Sequence, residues 1–241
     1  MKYKYNLDFF KNDSPEKYYF YGFLASDGYI SDDKISIGIN VKDREILEKF
    51  QKLICPEKPI YEKTQTNSLK FEITNKDLSK ELKKYFSMTT NKKHEEIRFP
   101  NVPEKYLKDF IRGVIDGDGN IDTTKGYQKD KIYIGARLRI LGNKEFLIEL
   151  NEKTKLLYPH NTNAVNKKGK ENVYTVTYNF KTARELLKII YYDGCLSLVR
   201  KFNRSRDEDI VSTITKVIDK KKWNAVLPVQ LCLHYLIATL L

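Results

Sequence analysis

The sequence predicts an α+β fold built from two copies of one αββαββα unit, and three observations predict it. Residues 19–30, YFYGFLASDGYI, align without gaps to residues 110–121, FIRGVIDGDGNI, at an offset of 91, so that Gly22 matches Gly113 and Asp27 matches Asp118. The matches continue in the same order: DKISIGI (33–39) answers DKIYIGA (130–136) at an offset of 97, and residues 67–86 answer 172–192 at roughly 104–105. Within each copy, helical stretches alternate with short strands that carry apolar residues on one side only. That is the pattern of antiparallel sheets backed by helices. The rising offset assigns longer loops to the second copy, mainly around 122–129 and 160–171. The expected units are 1–100 and 101–215, joined through IRFPNVPEKY (97–106), with an apolar tail over 216–241.

Each element has a local cause. Ser14 followed by Pro15 is an N-cap with proline at the first helical position, opening a helix over 15–26 that ends at Gly28. Residues 33–41 alternate, with Ile35, Ile37, Ile39 and Val41 on one face and Lys34, Ser36, Gly38 and Asn40 on the other, which is a half-buried strand. REILEKFQKLI (44–54) has helical spacing. Two shorter strands follow near 59–65 and 68–74; in the latter Leu69, Phe71 and Ile73 oppose Lys70, Glu72 and Thr74. A helix over 76–86 closes the unit. In the second copy Ile132, Ile134, Ala136, Leu138 and Ile140 point inward, and Lys131, Tyr133, Gly135, Arg137 and Arg139 point out.

Composition narrows the function classes. The 241 residues carry 44 Lys+Arg against 32 Asp+Glu, a net charge of +12, which favours a polyanionic partner. At 41% hydrophobic and 12% aromatic the chain buries a core, which excludes wholesale disorder. Three scattered cysteines, Cys55, Cys195 and Cys232, exclude a disulfide scaffold and a paired-cysteine zinc module. The opening MKYKYNLDFFKNDSPEKYY lacks the apolar core of a secretory signal. The final stretch 223–241 has no charge, but Asn224, Pro228, Gln230 and His234 interrupt it, so it reads as a buried helix or a tail rather than a membrane anchor.

The carboxylates carry the chemistry. Asp27 and Asp118 each close an apolar helix just before a glycine, where the negative end of the helix dipole disfavours them unless a cation compensates. Gly22 and Gly113 lie on the helix bodies at a cost of roughly 1 kcal/mol each relative to alanine. That cost is tolerable where two backbones must approach. Two helices packed through these glycines would bring the aspartates together, and paired carboxylates below a basic surface make a divalent-metal site suited to phosphodiester hydrolysis. Two capped helices with turn-forming aspartates fit the same residues. DGDGNID (116–122) also opens like a calcium-binding EF-hand loop, but Ile121 stands where the sharp turn needs glycine and Tyr127 where a bidentate glutamate is required, so that reading fails. Polar strand faces of Arg, Lys, Asn, Thr and Tyr are able to reach base edges in a major groove, though they equally fit an ordinary solvated face.

YGFLASDG and RGVIDGDG resemble the two signature helices of the LAGLIDADG homing endonucleases, in the two-repeat, single-chain form. NKKHEEIRFPNVPEKYLKDFIRGVIDGDG is similar to the family's connection into its second motif, and YYDGCLSLVRKFNR to its closing segment. The match spans about 15–210. The first motif departs from the pattern at Ala25 and Ser26, while the final acidic residue of both motifs is kept. The resemblance implies pseudo-twofold repeats with the motif helices at the interface and two four-stranded sheets forming a DNA-binding saddle. It implies two or three Mg²⁺ ions (Mn²⁺ able to substitute) on Asp27, Asp118 and the carbonyls of Ser26 and Gly117. It implies a double-strand break with short 3′ overhangs, and an assisting lysine in each half, assigned to Lys92 and to Lys201 or its neighbour Arg200. The DNA-facing candidates are Lys34, Ser36, Asn40, Tyr61, Lys63, Gln65, Lys70, Lys131, Tyr133, Arg137, Arg139, Thr175 and Thr177.

Beside a site-specific, Mg²⁺-dependent DNA endonuclease stand two alternatives on the same scaffold: an RNA maturase acting on intron RNA, and a catalytically silent DNA-binding regulator. No intein splicing residues stand at either end, which suggests a free-standing enzyme, encoded inside an intron or between genes; a monomer with no obligate protein partner and no membrane association is expected. The expected location is intracellular, in an organelle matrix or a prokaryotic or phage-infected cytoplasm, in keeping with a composition rich in Lys, Ile, Asn and Tyr.

Overall fold

A computed structural model describes residues 3–129, 131–169 and 172–217. After a short turn, α1 (Asp8–Lys11), the first long helix α2 (Pro15–Asp27) starts where Ser14 Oγ accepts from the Lys17 N–H at 3.1 Å. Every residue from Lys17 to Ser26 is buried, as expected of a helix apolar on all sides. There follow β1 (Gly28–Ile30), β2 (Lys34–Asn40), α3 (Arg44–Ile54), β3 (Tyr61–Lys63), β4 (Ser68–Thr74), α4 (Lys76–Tyr85) and the single turn α5 (Lys93–Glu96). The strands form an antiparallel sheet in the order β1-β2-β4-β3. Ile35, Ile37, Leu69, Phe71 and Ile73 are buried on its inner side, in one core with Ile46, Leu47 and Phe50 of α3.

The second repeat comprises α6 (Leu107–Asp118), β5 (Gly119–Gln128), β6 (Lys131–Gly142), α7 (Lys144–Leu157), β7 (Val165–Lys167), β8 (Tyr174–Asn179) and α8 (Phe180–Ile190), followed by α9 (Val199–Arg206), α10 (Glu208–Val211) and β9 (Ile214–Val217). Its sheet runs β5-β6-β8-β7, with β9 pairing antiparallel to the outer end of β6. The second sheet therefore has five strands among the described residues, where the resemblance implied four. The added strand straddles the expected boundary at 215, so the segment after the repeat begins inside the sheet. The apolar stretch 223–241 and Cys232 lie outside the described residues. Cys55 and Cys195 are free thiols. Among the described residues no helix is long and apolar enough to cross a membrane.

One internal match is displaced. Gly28 pairs with Ile37, and its counterpart Gly119 pairs with Ile140, so the second strands correspond at an offset of 103 rather than 97. KISIGIN (34–40) is the structural equivalent of RLRILGN (137–143), and DKIYIGA lies further out on β6. The extra residues of the second copy are not a loop over 122–129. They are strand, six more residue pairs from Thr123↔Ala136 to Gln128↔Lys131. The 160–171 region adds little, since Phe71 opposite Ile37 corresponds to Val176 opposite Ile140, an offset of 105. The inward and outward assignments survive because the error of six is even, and strand side chains alternate with period two. Ile134, expected inward, is only partly buried because it lies on this extension, beyond the end of β8 at Asn179↔Arg137.

Candidate active site and nucleic-acid face

The two motif helices cross in backbone contact. A Cβ placed on Gly22 would fall 1.9 Å from Phe110 O, and one on Gly113 2.2 Å from Tyr19 O. A third glycine completes the crossing: a Cβ on Gly117 would lie 1.9 Å from Ser26 Oγ and 3.2 Å from the Asp27 nitrogen. Gly117, singled out in the sequence only for its carbonyl, is thus also an interface residue. The close approach brings the C-terminal ends of α2 and α6, with Asp27 and Asp118, side by side.

Both aspartate side chains reach solvent, and neither makes an ion pair or hydrogen bond to another described residue. The protein packed beneath them raises the pKa of each. Asp118 raises Asp27 further, while nearby lysines pull both back. Two lysines answer the question of what compensates carboxylates at helix C-termini. Lys93 Nζ is buried and donates to the carbonyls of Ser26 and, at 3.3 Å, Leu24. Lys201 Nζ, also buried, donates to Ile115 O and Asp116 O at 2.6 Å each, to Gly119 O at 2.9 Å and to Gly117 O at 3.4 Å. Each ammonium sits on the negative end of its own repeat's helix. Burial pushes both lysines down to about 8, against the opposing pull of Asp118 and Asp27 on Lys93 and chiefly of Asp116 on Lys201.

The lysine assigned to the first repeat is corrected by one residue. Lys92 is exposed and approaches Glu95 at 3.8 Å, whereas Lys93 turns into the helix end. Nothing in Asn-Lys-Lys distinguishes the two; the loop that aims them does. Glu96 ties that loop down, accepting from the backbone N–H groups of Thr89 (2.6 Å) and Thr90 (2.8 Å). Arg200, the alternative to Lys201, instead bonds Asp43 of the first repeat at 2.9 Å. Asp116, weighed in the sequence only as the opening of a calcium-loop pattern, is fully buried and anchors the start of the helix that carries Lys201: it accepts from Tyr19 Oη (2.7 Å), Tyr191 Oη (2.6 Å) and the Leu198 N–H (2.7 Å) at the start of α9.

The chemistry of the donor set fits a divalent cation. Among the described residues the two adjoining carboxylates make no direct ion pair, the lysines nearby being turned to backbone carbonyls, and no third His, Cys, Asp or Glu joins them. Mg²⁺ suits such a pair, because it takes one or two carboxylates and keeps several waters. The Ser26 and Gly117 carbonyls, expected to assist, each accept a lysine ammonium here, so the carboxylates are the open donors.

The sheets present a polar face beside this centre. Thr175 and Thr177 on β8, with Asn120, Arg139 and Lys168, line a cavity of about 400 Å³ that opens onto Asp118. Arg137 and Arg139 are both held by Asp122, at 2.7 and 2.9 Å, and Lys34 and Lys70 by Glu72, at 3.7 and 2.6 Å. These two acids, missed in the sequence, organise the basic side chains on each sheet. Tyr61, Lys63 and Lys131 are exposed on strands, and Tyr133 is partly exposed. Asn40 is exposed, and its Oδ1 accepts from the Lys42 N–H at 3.0 Å. Gln65 lies in a 3₁₀ turn (Thr64–Thr66) rather than a strand. Ser36 is the exception among the outward candidates: between Tyr29 and Glu72 in register it is 6% exposed, too covered to meet a partner. Tyr29, at 45% exposed, takes the surface position instead.

No protein-family model matches the chain. A probable translation initiation factor IF-2 from Thermococcus kodakarensis is 32% identical over 149 residues, covering 57% of this chain and 12% of that protein. The chain thus spans about an eighth of the length of this curated relative. Among solved structures, the I-LtrWI LAGLIDADG homing endonuclease bound to target DNA superimposes with a TM-score of 0.54 at 13% identity, over 80% of this chain and 87% of that one. The meganuclease I-SmaMI, bound to an uncleaveable DNA, gives 0.55 at 11% identity over 81% and 87%, and as the LAGLIDADG homing endonuclease bound to cleaved DNA it gives 0.54 over the same shares. The chain has the two-repeat LAGLIDADG homing-endonuclease fold.

Proposed function

We propose that this chain is a site-specific double-strand DNA endonuclease that hydrolyses one phosphodiester in each strand and leaves 3′ overhangs. The observation that carries the reading is the juxtaposition of Asp27 and Asp118 at a glycine crossing, each beside a buried lysine, next to two sheets with basic, polar faces. Asp27 and Asp118 would hold Mg²⁺, or Mn²⁺ in its place, as two or three ions. Bound there, the metal supplies an activated water and charge stabilisation for the leaving 3′ oxygen. The protein's own part is positional and electrostatic. Helices α2 and α6 fix the carboxylate spacing through backbone contact, which no side-chain rotamer relaxes. Lys93 and Lys201 keep a positive charge at Nζ beside each carboxylate, where it steadies the charge that develops on a phosphate in the water-poor helix end. Arg137, Arg139, Lys34, Lys70, Lys131, Tyr61, Lys63, Thr175 and Thr177 are assigned to phosphates and base edges across the groove.

In this reading the repeats are 1–100 and 101–215, the partner is double-stranded DNA, and the setting is an intracellular compartment that holds DNA. The test is incubation with a randomised double-stranded library, with Mg²⁺ in one arm and Ca²⁺ in the other, followed by sequencing of new DNA ends. The expected result is ends clustered on one long motif with a fixed 3′ stagger, only with Mg²⁺, and lost in Asp27→Asn and Asp118→Asn while binding persists. Ends that survive Asp118→Asn overturn the assignment. Binding without ends moves the protein to the silent regulator, or to the maturase if intron RNA competes for the same face.

A further inference from the structure

The two repeats do not present equal faces. In the first, β2 begins at Lys34, opposite Thr74 at the end of β4, and the turn from β1 is closed by the Ser31 N–H donating to Lys34 O at 2.8 Å. In the second, the equivalent pair is Arg137 opposite Asn179, yet β5 and β6 run on for six further residue pairs. At about 3.3 Å per residue this arm projects about 20 Å past the rest of its sheet.

The arm is built to hold its shape. β9 pairs with β6 from Lys131 to Ile134, so the projecting segment is three-stranded rather than an isolated hairpin, and α10 packs against both β5 and β6. Ile132 is 3% exposed, which gives the arm an apolar underside. Its root is braced from the polar side by Phe180. That residue adopts φ 48°, an uncommon conformation for a bulky side chain, and lays its ring over Gly126 and Gly135, where a Cβ on either would stand 2.8 Å from a ring carbon. Beyond Phe180, the outward positions on β6 and its partner are Tyr133, then Lys131 and Gln128. They continue the row formed by Arg139 and Arg137, because alternation along β6 is unbroken.

We infer that the β5–β6–β9 arm is a recognition extension that reads base pairs outside the footprint of the first repeat, making the DNA target longer on the second repeat's side. This rests on the endonuclease reading. A reach of about 20 Å corresponds to about six base pairs at 3.4 Å each when the strands follow the groove, and to fewer when they cross it obliquely. Charges along an outer hairpin also deter unwanted strand pairing. Here β9 already covers one edge of the arm, and the outward row is the same face that carries Arg137 and Arg139.

The experiment is selection of the full chain on a randomised duplex library in Ca²⁺, with sequence information plotted outward from the centre of the site. Fluorescence anisotropy on selected duplexes shortened by three base pairs from either end follows. The expected result is information extending three to six base pairs further on one side, with trimming of that side lowering affinity at least about tenfold and equal trimming of the other doing less. The variant Lys131→Ala/Tyr133→Ala should bind the trimmed and untrimmed duplexes equally and lower the salt slope by about one. A structural role alone would leave sensitivity to trimming unchanged. Equal information on both sides, or a variant as sensitive to trimming as the parent, overturns the inference and leaves the endonuclease reading intact. Failure to enrich any sequence overturns the endonuclease reading and the arm's assignment together.

Discussion

Gly22→Ala tests whether the active centre is set by backbone contact. The new Cβ would lie 1.9 Å from Phe110 O and 2.9 Å from its carbonyl carbon, with Val114 N at 3.0 Å. These are main-chain atoms of α6, so no side chain can swing aside. Real Cβ contacts essentially never fall below 3.0 Å, so the helices must separate there by about 1 Å. Overpacking a tight interior costs about 1–3 kcal/mol, and a backbone clash belongs at the upper end. Alanine's better helix propensity returns about 1 kcal/mol. The net expectation is a loss of about 1–2 kcal/mol, seen in urea unfolding as a lower midpoint at unchanged slope and in heating as a Tm lower by roughly 2–8 °C. Cleavage should fall more than stability explains, at least about tenfold at a temperature where the variant stays folded, because the spacing of Asp27 and Asp118 moves with the helices. Gly38→Ala is the control: its nearest neighbour to an added Cβ is Leu69 O at 3.9 Å, so stability should stay within about 0.5 kcal/mol. A Gly22→Ala protein as stable and active as the parent would refute the backbone-contact reasoning.

Other outcomes follow from single contacts. Lys92→Ala should leave stability and cleavage unchanged, whereas Lys93→Met should reduce cleavage by about a hundredfold at matched DNA occupancy, measured by single-turnover kinetics. Equal effects of the two would remove Lys93 from the site. Arg112 is wholly buried and donates to Ile190 O and Leu196 O at 2.8 Å and to Asp109 at 2.7 Å; Arg112→Leu strands all three and should cost about 3–5 kcal/mol in chemical denaturation. Burial works to raise the Asp122 pKa, but the bonds from Arg137 and Arg139 outweigh it and hold the carboxyl below its ordinary 3.8. A depressed folded pKa stabilises above the unfolded value and loses that contribution as pH falls through the folded one. Stability should therefore decline below about pH 4 more steeply in the parent than in Asp122→Asn, as followed by thermal melts. The same variant, freeing both arginines for phosphate, should bind DNA more tightly with a steeper salt dependence.

How much was legible follows from which interactions are local. Capping by Ser14 and Pro15, the largely apolar and aromatic helix through Ser26 and the alternation of Ile35, Ile37 and Ile39 are written within a few residues of where they act. So the element order, the inner faces and the paired aspartates followed from the sequence. The gapless repeat exposed the twofold plan, and the glycines at 22 and 113 pointed to a close crossing. Strand register was less accessible. DKISIGI resembles DKIYIGA more than it resembles its structural equivalent, because both follow a charged turn, and the six-pair extension hid the shift. An even shift is invisible to a pattern of period two.

What the tertiary structure alone decided is which side chains the fold turns toward the helix ends. Lys92 and Lys93 have the same chemistry, and a main-chain turn anchored by Glu96 selects between them. Glu72 read as one acid on a polar strand face and Asp122 fell in an expected loop, until register placed each beside two cations. The anchoring role of Asp116 was hidden because the Tyr191 and Leu198 groups that bond it lie 75 and 82 residues away. The sequence by itself determined the repeats, the helix that carries each aspartate and the polarity of each sheet face, since hydrophobic period and caps act over a turn or two. It left open the lysines, the acid clamps and the length of the second arm, since these depend on contacts between residues distant along the chain.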